Sequence, residues 1–217
     1  MSDTNDVLEN LRKDYASQVL LEGTIDANPI KQFDIWMNDA ISVEIDHLNA
    51  MTLSTVSKDG FPSSRVVLLK SFDKDGFKFY TNYQSRKGVE LIENPNAALN
   101  FFWKELERQI IIIGTVERTD EKDSDEYFAV RPRESQIGAW ASQQSSIIES
   151  RNTLDDKVLK LQKQFEGKAI PRPPYWGGFI LKPFYIEFWQ GRPNRLHDRL
   201  AYTKKNSETW KIERLSP

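Results

Sequence analysis

After His47 the apolar residues switch from helical spacing to a period of two, and they keep it through five segments: Met51–Ser57, Ser63–Lys70, Phe77–Asn82, Ala97–Trp103 and Gln109–Glu117. That period sends alternate side chains to opposite faces of a strand, and the segments are rich in the β-branched and aromatic residues that suit a pleated surface. Asp59-Gly60 and Asp75-Gly76 supply hairpin turns, because glycine accepts the positive φ such turns require. Consecutive strands joined by tight turns pair antiparallel, whereas parallel pairing needs a long crossover between each pair. The chain is therefore predicted to be mainly β, an antiparallel barrel or sandwich with helices packed outside, in one domain. Its 217 residues suffice to bury a sizeable core. A Rossmann fold is excluded, as are the usual glycine-rich phosphate loops, since neither G-x-G-x-x-G nor a Walker sequence occurs.

Helices are expected around this β region. Val7, Leu8 and Leu11 suggest a short N-terminal helix, and Leu20–Ala27 reads as a connector. Asn28-Pro29 is a helix start, followed at helical spacing by Ile30, Phe33, Trp36 or Met37, and Ala40. Ser85 caps a short helix that stops before Pro95, and Thr119–Phe165 is helical, broken at Pro132 and finished by Gly167. A proline-rich link then leads to strand character over Gly178–Gln190, with Trp210–Leu215 as a last strand.

Composition narrows the chemistry. Cysteine is absent, which removes disulfides, thiolate metal sites and cysteine nucleophiles, and the two histidines, His47 and His197, are too few for a histidine-rich metal site. The formal net charge of −2 argues against nucleic-acid binding through bulk positive charge. Met1–Asp14 lacks the basic start and apolar stretch of a signal peptide, and apolar runs such as Ile110–Ile113 are far too short to span a bilayer. A soluble, cytoplasmic protein without nucleic-acid or membrane partners is the expectation.

Against this neutral background four polar clusters stand out. Arg65-Val66-Val67-Leu68-Leu69-Lys70 is an apolar strand bounded by two cations, which reads equally as a core strand with solvated ends. Period-two alternation sends Arg65 and Lys70 to opposite faces unless a bulge intervenes. Ser85-Arg86-Lys87 places two cations at a helix start, where the dipole favours an anion instead. Arg131 to Ser145 is a polar, cap-rich helical junction. Its Arg131 is four residues from Tyr127 on one helical face, and its Ser135 falls in the first turn of a helix opened by Pro132. Finally, Arg195, His197 and Arg199 alternate and would share one face of an extended segment. Such a trio repels itself unless an anion or a polarised ring lies among it. No Ser-His-Asp triad is evident, so an organic cofactor is the expected source of reactive electrons.

These stretches resemble the pyridoxamine/pyridoxine 5′-phosphate oxidase family. The likeness runs from Leu11-Arg12-x-x-Tyr15 to Arg214-Leu215-Ser216-Pro217 and is most specific over Arg131–Ser145 and over Ile186-Glu-Phe-Trp-Gln with Arg195-Leu-His-Asp-Arg199. The Arg192-Pro193 spacer before Arg195 falls in a variable part of the pattern. The resemblance implies an FMN-binding split β-barrel, working as a homodimer that holds FMN between subunits. The implied reaction oxidises pyridoxine 5′-phosphate and pyridoxamine 5′-phosphate to pyridoxal 5′-phosphate, with O₂ reduced to H₂O₂. By motif, the implied FMN contacts are Arg65, Val66, Val67, Leu68, Leu69, Lys70, Tyr80, Thr81, Arg86, Lys87, Gln109, Gln144, Ser145, Trp189 and Arg199. Lys70, Tyr127, Arg131 and Ser135 match the substrate-phosphate set, and Arg195 and His197 match residues over the substrate ring, where they carry the catalytic role. Arg12 and Tyr15 fit an N-terminal segment, within about residues 1–28, that closes over the site. Two other readings use the same barrel: a B6-phosphate or flavin binding module without turnover, and a flavin reductase with another substrate.

Overall fold

A computed structural model describes residues 18–206 and 209–217, so the expected first helix, Arg12 and Tyr15 lie outside the described residues. The described residues form nine strands: β1 (Ala50–Val56), β2 (Pro62–Leu68), β3 (Ser71–Asp73), β4 (Gly76–Asn82), β5 (Asn96–Trp103), β6 (Arg108–Arg118), β7 (Trp176–Gln190), β8 (Asp198–Lys204) and β9 (Trp210–Arg214). Their pairing order is β2-β1-β5-β6-β7-β4-β3, with β8 joined to β7 and β9 to β8. β1 runs antiparallel to β2 and β5, and β4 antiparallel to β3 and β7. The helices are α1 (Pro29–Ser42), α2 (Arg86–Glu93), α3 (Glu121–Ala129), α4 (Arg133–Ala141) and α5 (Arg151–Gln164). None of them is long and apolar enough to cross a membrane.

The chain divides into two compact units, the first drawn from the residues up to Leu48, Phe101–Ile111 and Tyr185–Pro217, the second from Asn49–Asn100 and Ile112–Phe184. In the first unit, Asn28 caps α1 by accepting the Ile30 N–H at 2.9 Å, and Pro29 follows where no donor is needed. The buried face of α1 carries Phe33, Trp36, Met37 and Ala40 as the spacing predicts, together with Gln32, whose Oε1 accepts the Asp26 N–H. Phe33 meets Phe101 edge-on at 5.3 Å, Trp36 meets Phe188 at 5.1 Å, and Phe188 meets Tyr202 at 5.5 Å. Each such buried aromatic contributes roughly 1.5–3 kcal/mol of apolar burial.

In the second unit, Phe79 and Phe179 pack across the β4–β7 pair, and a further cluster joins Phe128, Ile137, Phe165, Ile170 and Trp176. Gly76 opens β4 with a φ of +144°, and a Cβ there would lie 2.2 Å from the Leu181 carbonyl oxygen. Only glycine fits that hairpin. Pro132 separates α3 from α4, but the helical stretch is also interrupted between Ser142 and Ser150, so it yields three helices.

Two local expectations need correction. β2 is an edge strand, not a core strand: Val66 is 69% and Leu68 42% exposed, while Arg65 is half-buried. The alternation also ends at Leu68. The Leu69 N–H donates to Asn49 beside β1 and the Lys70 N–H donates to Lys78 on β4, so the backbone turns from one partner to the other. Arg65 and Lys70 are thereby freed from opposite faces.

A buried carboxylate ties the β2 edge to α2. Glu90 Oε2 accepts from Thr55 on β1 at 2.5 Å, from Ser63 at 2.7 Å and from Arg65 at 3.3 Å on β2, while Oε1 accepts from Arg86 at 2.9 Å. Burial pushes this carboxyl up, but the hydroxyl donors and the two guanidinium groups outweigh it and hold the pKa at about 2. With the folded value below the ordinary 4.5, Glu90 stabilises the fold fully above that pH and loses its contribution as pH falls from 4.5 towards 2. Glu90→Gln is expected to cost about 1–3 kcal/mol at neutral pH and to flatten the acid limb of stability in that window. Urea unfolding at a series of pH values measures both, and an unchanged acid limb contradicts the assignment.

Candidate active site

A cavity of about 850 Å³ opens in the second unit between β2, β4 and the α3–α4 junction. Twelve of the residues singled out in the sequence line it: Arg65, Val66, Val67, Leu68, Lys70, Tyr80, Thr81, Lys87, Tyr127, Arg131, Ser135 and Gln144. They come from six separate places in the chain, Gln144 from the segment after Ala141. The β2 edge brings the first four, and the turn after it brings Lys70. β4 presents Tyr80 and Thr81, α2 presents Lys87, and the two sides of Pro132 present Tyr127 with Arg131 and Ser135.

One group of these residues is cationic with few counter-charges. Ser85 caps α2 by accepting the Gly88 N–H, which sets Arg86 and Lys87 in the first turn. Lys87 is buried, and among the described residues its Nζ hydrogen-bonds only to neutral oxygens, Thr81 Oγ1 at 3.4 Å and Gln144 Oε1 at 3.3 Å. Burial and the neighbouring Arg65 lower its pKa. Glu90 is shared by Arg65 and Arg86, so three cations face one carboxylate. Arg86 and Ser145 line an adjacent cavity of about 590 Å³ with Gln144, and the Arg86 N–H donates to Ser145 Oγ at 3.2 Å. Leu69 is buried and outside the cavity lining.

A second group surrounds the helix junction. Tyr80 and Tyr127 stack at 3.9 Å, and the Tyr80 hydroxyl donates to Asp123 Oδ2 at 2.8 Å, away from ordinary phenol acidity: burial first, then Asp123, raises its pKa. Lys70 Nζ lies 5.9 Å from the Tyr127 ring. Arg131 lies just past the end of α3, and its Nη1 is buried with no hydrogen-bond partner among the described residues. Ser135 is the third residue of α4, in its first turn, where the positive end of the helix dipole favours an anion. A buried guanidinium N–H without an acceptor is costly in a finished fold, and an incoming anion removes that cost.

Gln109, Trp189, Arg195, His197 and Arg199 belong to the first unit. The Trp189 ring lies 4.6 Å from that of His197, and Trp189 sits opposite Arg199 in the β7–β8 register. His197 Nδ1 accepts the Arg192 N–H at 3.1 Å, which leaves Nε2 to carry the proton of the neutral ring. Burial, and then the Arg195 charge, lower its pKa and favour that neutral form. Arg199 donates to Glu187 at 2.8 Å and to the Ser216 carbonyl at 2.9 Å. The expected extended alternation does not form here. Pro193–Arg195 is a 3₁₀ turn closed by the Leu196 N–H on the Pro193 carbonyl, and Asn194 and Arg195 take φ of +57° and +62°. Proline fixes the entry to the turn and β8 begins only at Asp198, so Arg195 stands outside the strand that carries Arg199.

Several residues of the site escaped sequence reading. Trp176 and Asn82 line the cavity, and Glu90 and Asp123 fix its side chains. Apart from the Arg86–Glu90 pair four residues apart, the ties of Glu90, Asp123 and Trp176 to the site reach partners 25 or more residues away, which no local spacing signals.

Comparison with known proteins agrees with the sequence motifs. Residues 37–165 match the family model of pyridoxamine 5′-phosphate oxidase, and residues 176–217 match that of the pyridoxine 5′-phosphate oxidase C-terminal dimerisation region. A pyridoxine/pyridoxamine 5′-phosphate oxidase of Nostoc punctiforme is 54% identical, covering 96% of this chain and 97% of its own. Its counterpart in Burkholderia thailandensis is 52% identical, covering 97% and 99%. The structure of PhzG from Burkholderia lata, in complex with tetrahydrophenazine-1-carboxylic acid, superposes with a TM-score of 0.87 at 32% identity, covering 93% of this chain and all of that one. A pyridoxamine 5′-phosphate oxidase-related, FMN-binding protein from Nostoc punctiforme shares the fold at a TM-score of 0.69 and 14% identity, covering 88% and 98%. The fold is the mainly β, antiparallel split barrel of FMN-binding proteins. On its motifs, its fold and its near full-length relatives, the chain belongs to the pyridoxine/pyridoxamine 5′-phosphate oxidase family.

Proposed function

We propose that this protein oxidises pyridoxine 5′-phosphate and pyridoxamine 5′-phosphate to pyridoxal 5′-phosphate, with FMN as cofactor and O₂ as final acceptor. The observation that carries this reading is the pair of under-neutralised cation groups on one cavity, Arg65 with Lys87 and Lys70 with Arg131. Two phosphates, one on cofactor and one on substrate, match two such groups. The donor set fits FMN: Arg65, Arg86, Lys87, Thr81 and Ser145 offer charge-assisted and hydroxyl contacts to its phosphate, and Gln144 a side-chain amide. Bound FMN supplies the hydride acceptor and the route of the electrons to O₂.

The chain's own residues then bind and orient. Lys70, Tyr127, Arg131 and Ser135 hold the substrate phosphate and so fix the far end of the ring. Arg195 and His197 align and polarise the ring near its 4′ carbon, a task of positioning that tolerates little displacement. The alcohol loses two electrons and two protons to become the aldehyde, and O₂ becomes H₂O₂. With the amine, water also enters and ammonia leaves. The C-terminal match to a dimerisation region and the exposed apolar side chains of Val66, Leu68 and Phe102 support a homodimer. The likeness to PhzG makes an aromatic ring carboxylate the second reading, since the same cations accept a carboxylate.

The decisive comparison is kcat/KM for pyridoxine 5′-phosphate against pyridoxine. Loss of two charge-assisted bonds predicts a preference of roughly 10²–10⁴ for the phosphorylated form, shrinking about tenfold or more in Arg131→Ala. Equal values in the parent enzyme refute the phosphate reading, and turnover only of a ring carboxylate favours the second one. Arg195→Ala and His197→Ala are each expected to lower kcat/KM on the order of tenfold or more while flavin stays bound. Absorbance spectra and steady-state rates check both statements together. Parent-like rates in both variants remove these residues from the mechanism.

A further inference from the structure

Buried guanidinium groups elsewhere in the described chain meet carboxylates. Arg108 donates to Asp39 at 2.7 Å, Arg172 pairs with Asp125 at 2.6 Å and with Glu121, and Arg65 pairs with Glu90. Arg108 also lies over the Trp36 ring at 4.3 Å, whereas Arg131 has ring support without a carboxylate among the described residues. The Arg131 guanidinium lies 4.5 Å from the ring centre of Trp176 and 5.6 Å from that of Phe128, and its Nη1 is buried without a hydrogen-bond partner among the described residues. Trp176 is itself buried and nearly parallel to two other rings, at 11° to Tyr80 and 6° to Tyr127. Tyr80 is in turn anchored on Asp123.

The chemical difference between the two kinds of support is large. A carboxylate neutralises an arginine and occupies its N–H donors. An indole face attracts the cation through its quadrupole but leaves the in-plane donors and most of the charge for another anion. Lys70, over the Tyr127 ring, follows the same pattern more loosely.

We propose that Trp176 is a positioning residue for the phosphate subsite, holding Arg131 in place by its indole face so that the guanidinium donors stay available to the substrate's phosphate. This rests on the reading of the cavity as a phosphate site, and it deepens that reading by naming what keeps the site cationic. It also defines the specificity the residue confers: discrimination between an anionic and a neutral tail on the same ring.

The test measures apparent affinities of the full-length holoenzyme for pyridoxine 5′-phosphate and for pyridoxine, the latter as a competitive inhibitor. The variants are Trp176→Phe, Trp176→Leu and Arg131→Ala, with each Trp176 change also made in the Arg131→Ala background. Trp176→Leu is expected to weaken the phosphorylated ligand about 3- to 30-fold, with Trp176→Phe in between, because phenyl is the weaker π face. Pyridoxine should change less than about twofold, and both losses should vanish once Arg131 is alanine. If Trp176→Leu does not fold, Trp176→Phe carries the same comparison. Equal weakening of the two ligands, or a loss that persists without Arg131, overturns the proposal in favour of plain packing. Should Arg131→Ala itself leave the phosphorylated ligand unaffected, the phosphate reading falls and the role of Trp176 falls with it. A retained Arg131 effect with no Trp176 effect overturns the positioning role alone.

Discussion

Arg65 and Arg86 share the buried carboxylate of Glu90, while among the described residues Lys87 beside them hydrogen-bonds only to the neutral oxygens of Thr81 and Gln144. That imbalance governs the rest of the site. Taking charge out of water costs stability, which is visible in the downward pKa shifts that burial imposes on Lys87, Arg65 and Arg131. The chain keeps the arrangement because the surrounding fold is stable enough to hold it, with Glu90 binding β1, β2 and α2 through hydroxyl and guanidinium donors. Cations fixed in advance, three of them beside a single carboxylate, lower the ordering cost of capturing an anion.

The architecture matters mainly through where it stops being regular. β2 ends at Leu68, and the backbone crosses from β1 to β4 within two residues, which delivers Lys70 to the same cavity as Arg65. Pro132 ends one helix and opens the next, which sets Arg131 beyond a C-terminus and Ser135 within an N-terminal turn. Functional side chains thus sit at junctions whose ends are fixed by rigid elements, as expected where binding groups are carried by loops on a scaffold.

Much of this was legible from local chemistry. The alternation in β1, β4, β5 and β6, the Asn28 and Ser85 caps and the break at Pro132 are short-range signals, and each appears within a few residues of its expected place. The three residues of β3 are too few to show a period, and β8 was masked by the Arg195–Arg199 alternation, which the Pro193 turn breaks. Arg65, Lys70, Tyr127, Arg131 and Ser135 were found through motif resemblance and gather on one cavity. Glu90, Asp123 and Trp176 were invisible for a physical reason. A glutamate in an amphipathic helix looks solvated, and a tryptophan ahead of a strand looks like core, until distant partners arrive. Trp176 is in fact both core and cavity wall.

The proposed selection of a phosphate-bearing flavin by fixed, under-neutralised cations is open to titration of the flavin-free protein with FMN and with riboflavin at rising salt. Removing the phosphate deletes several charge-assisted bonds, so FMN is predicted to bind on the order of 10²-fold or more tighter than riboflavin. Salt should narrow the gap from the FMN side, because only that ligand is held by charge. Equal affinities for FMN and riboflavin at low salt would contradict the account.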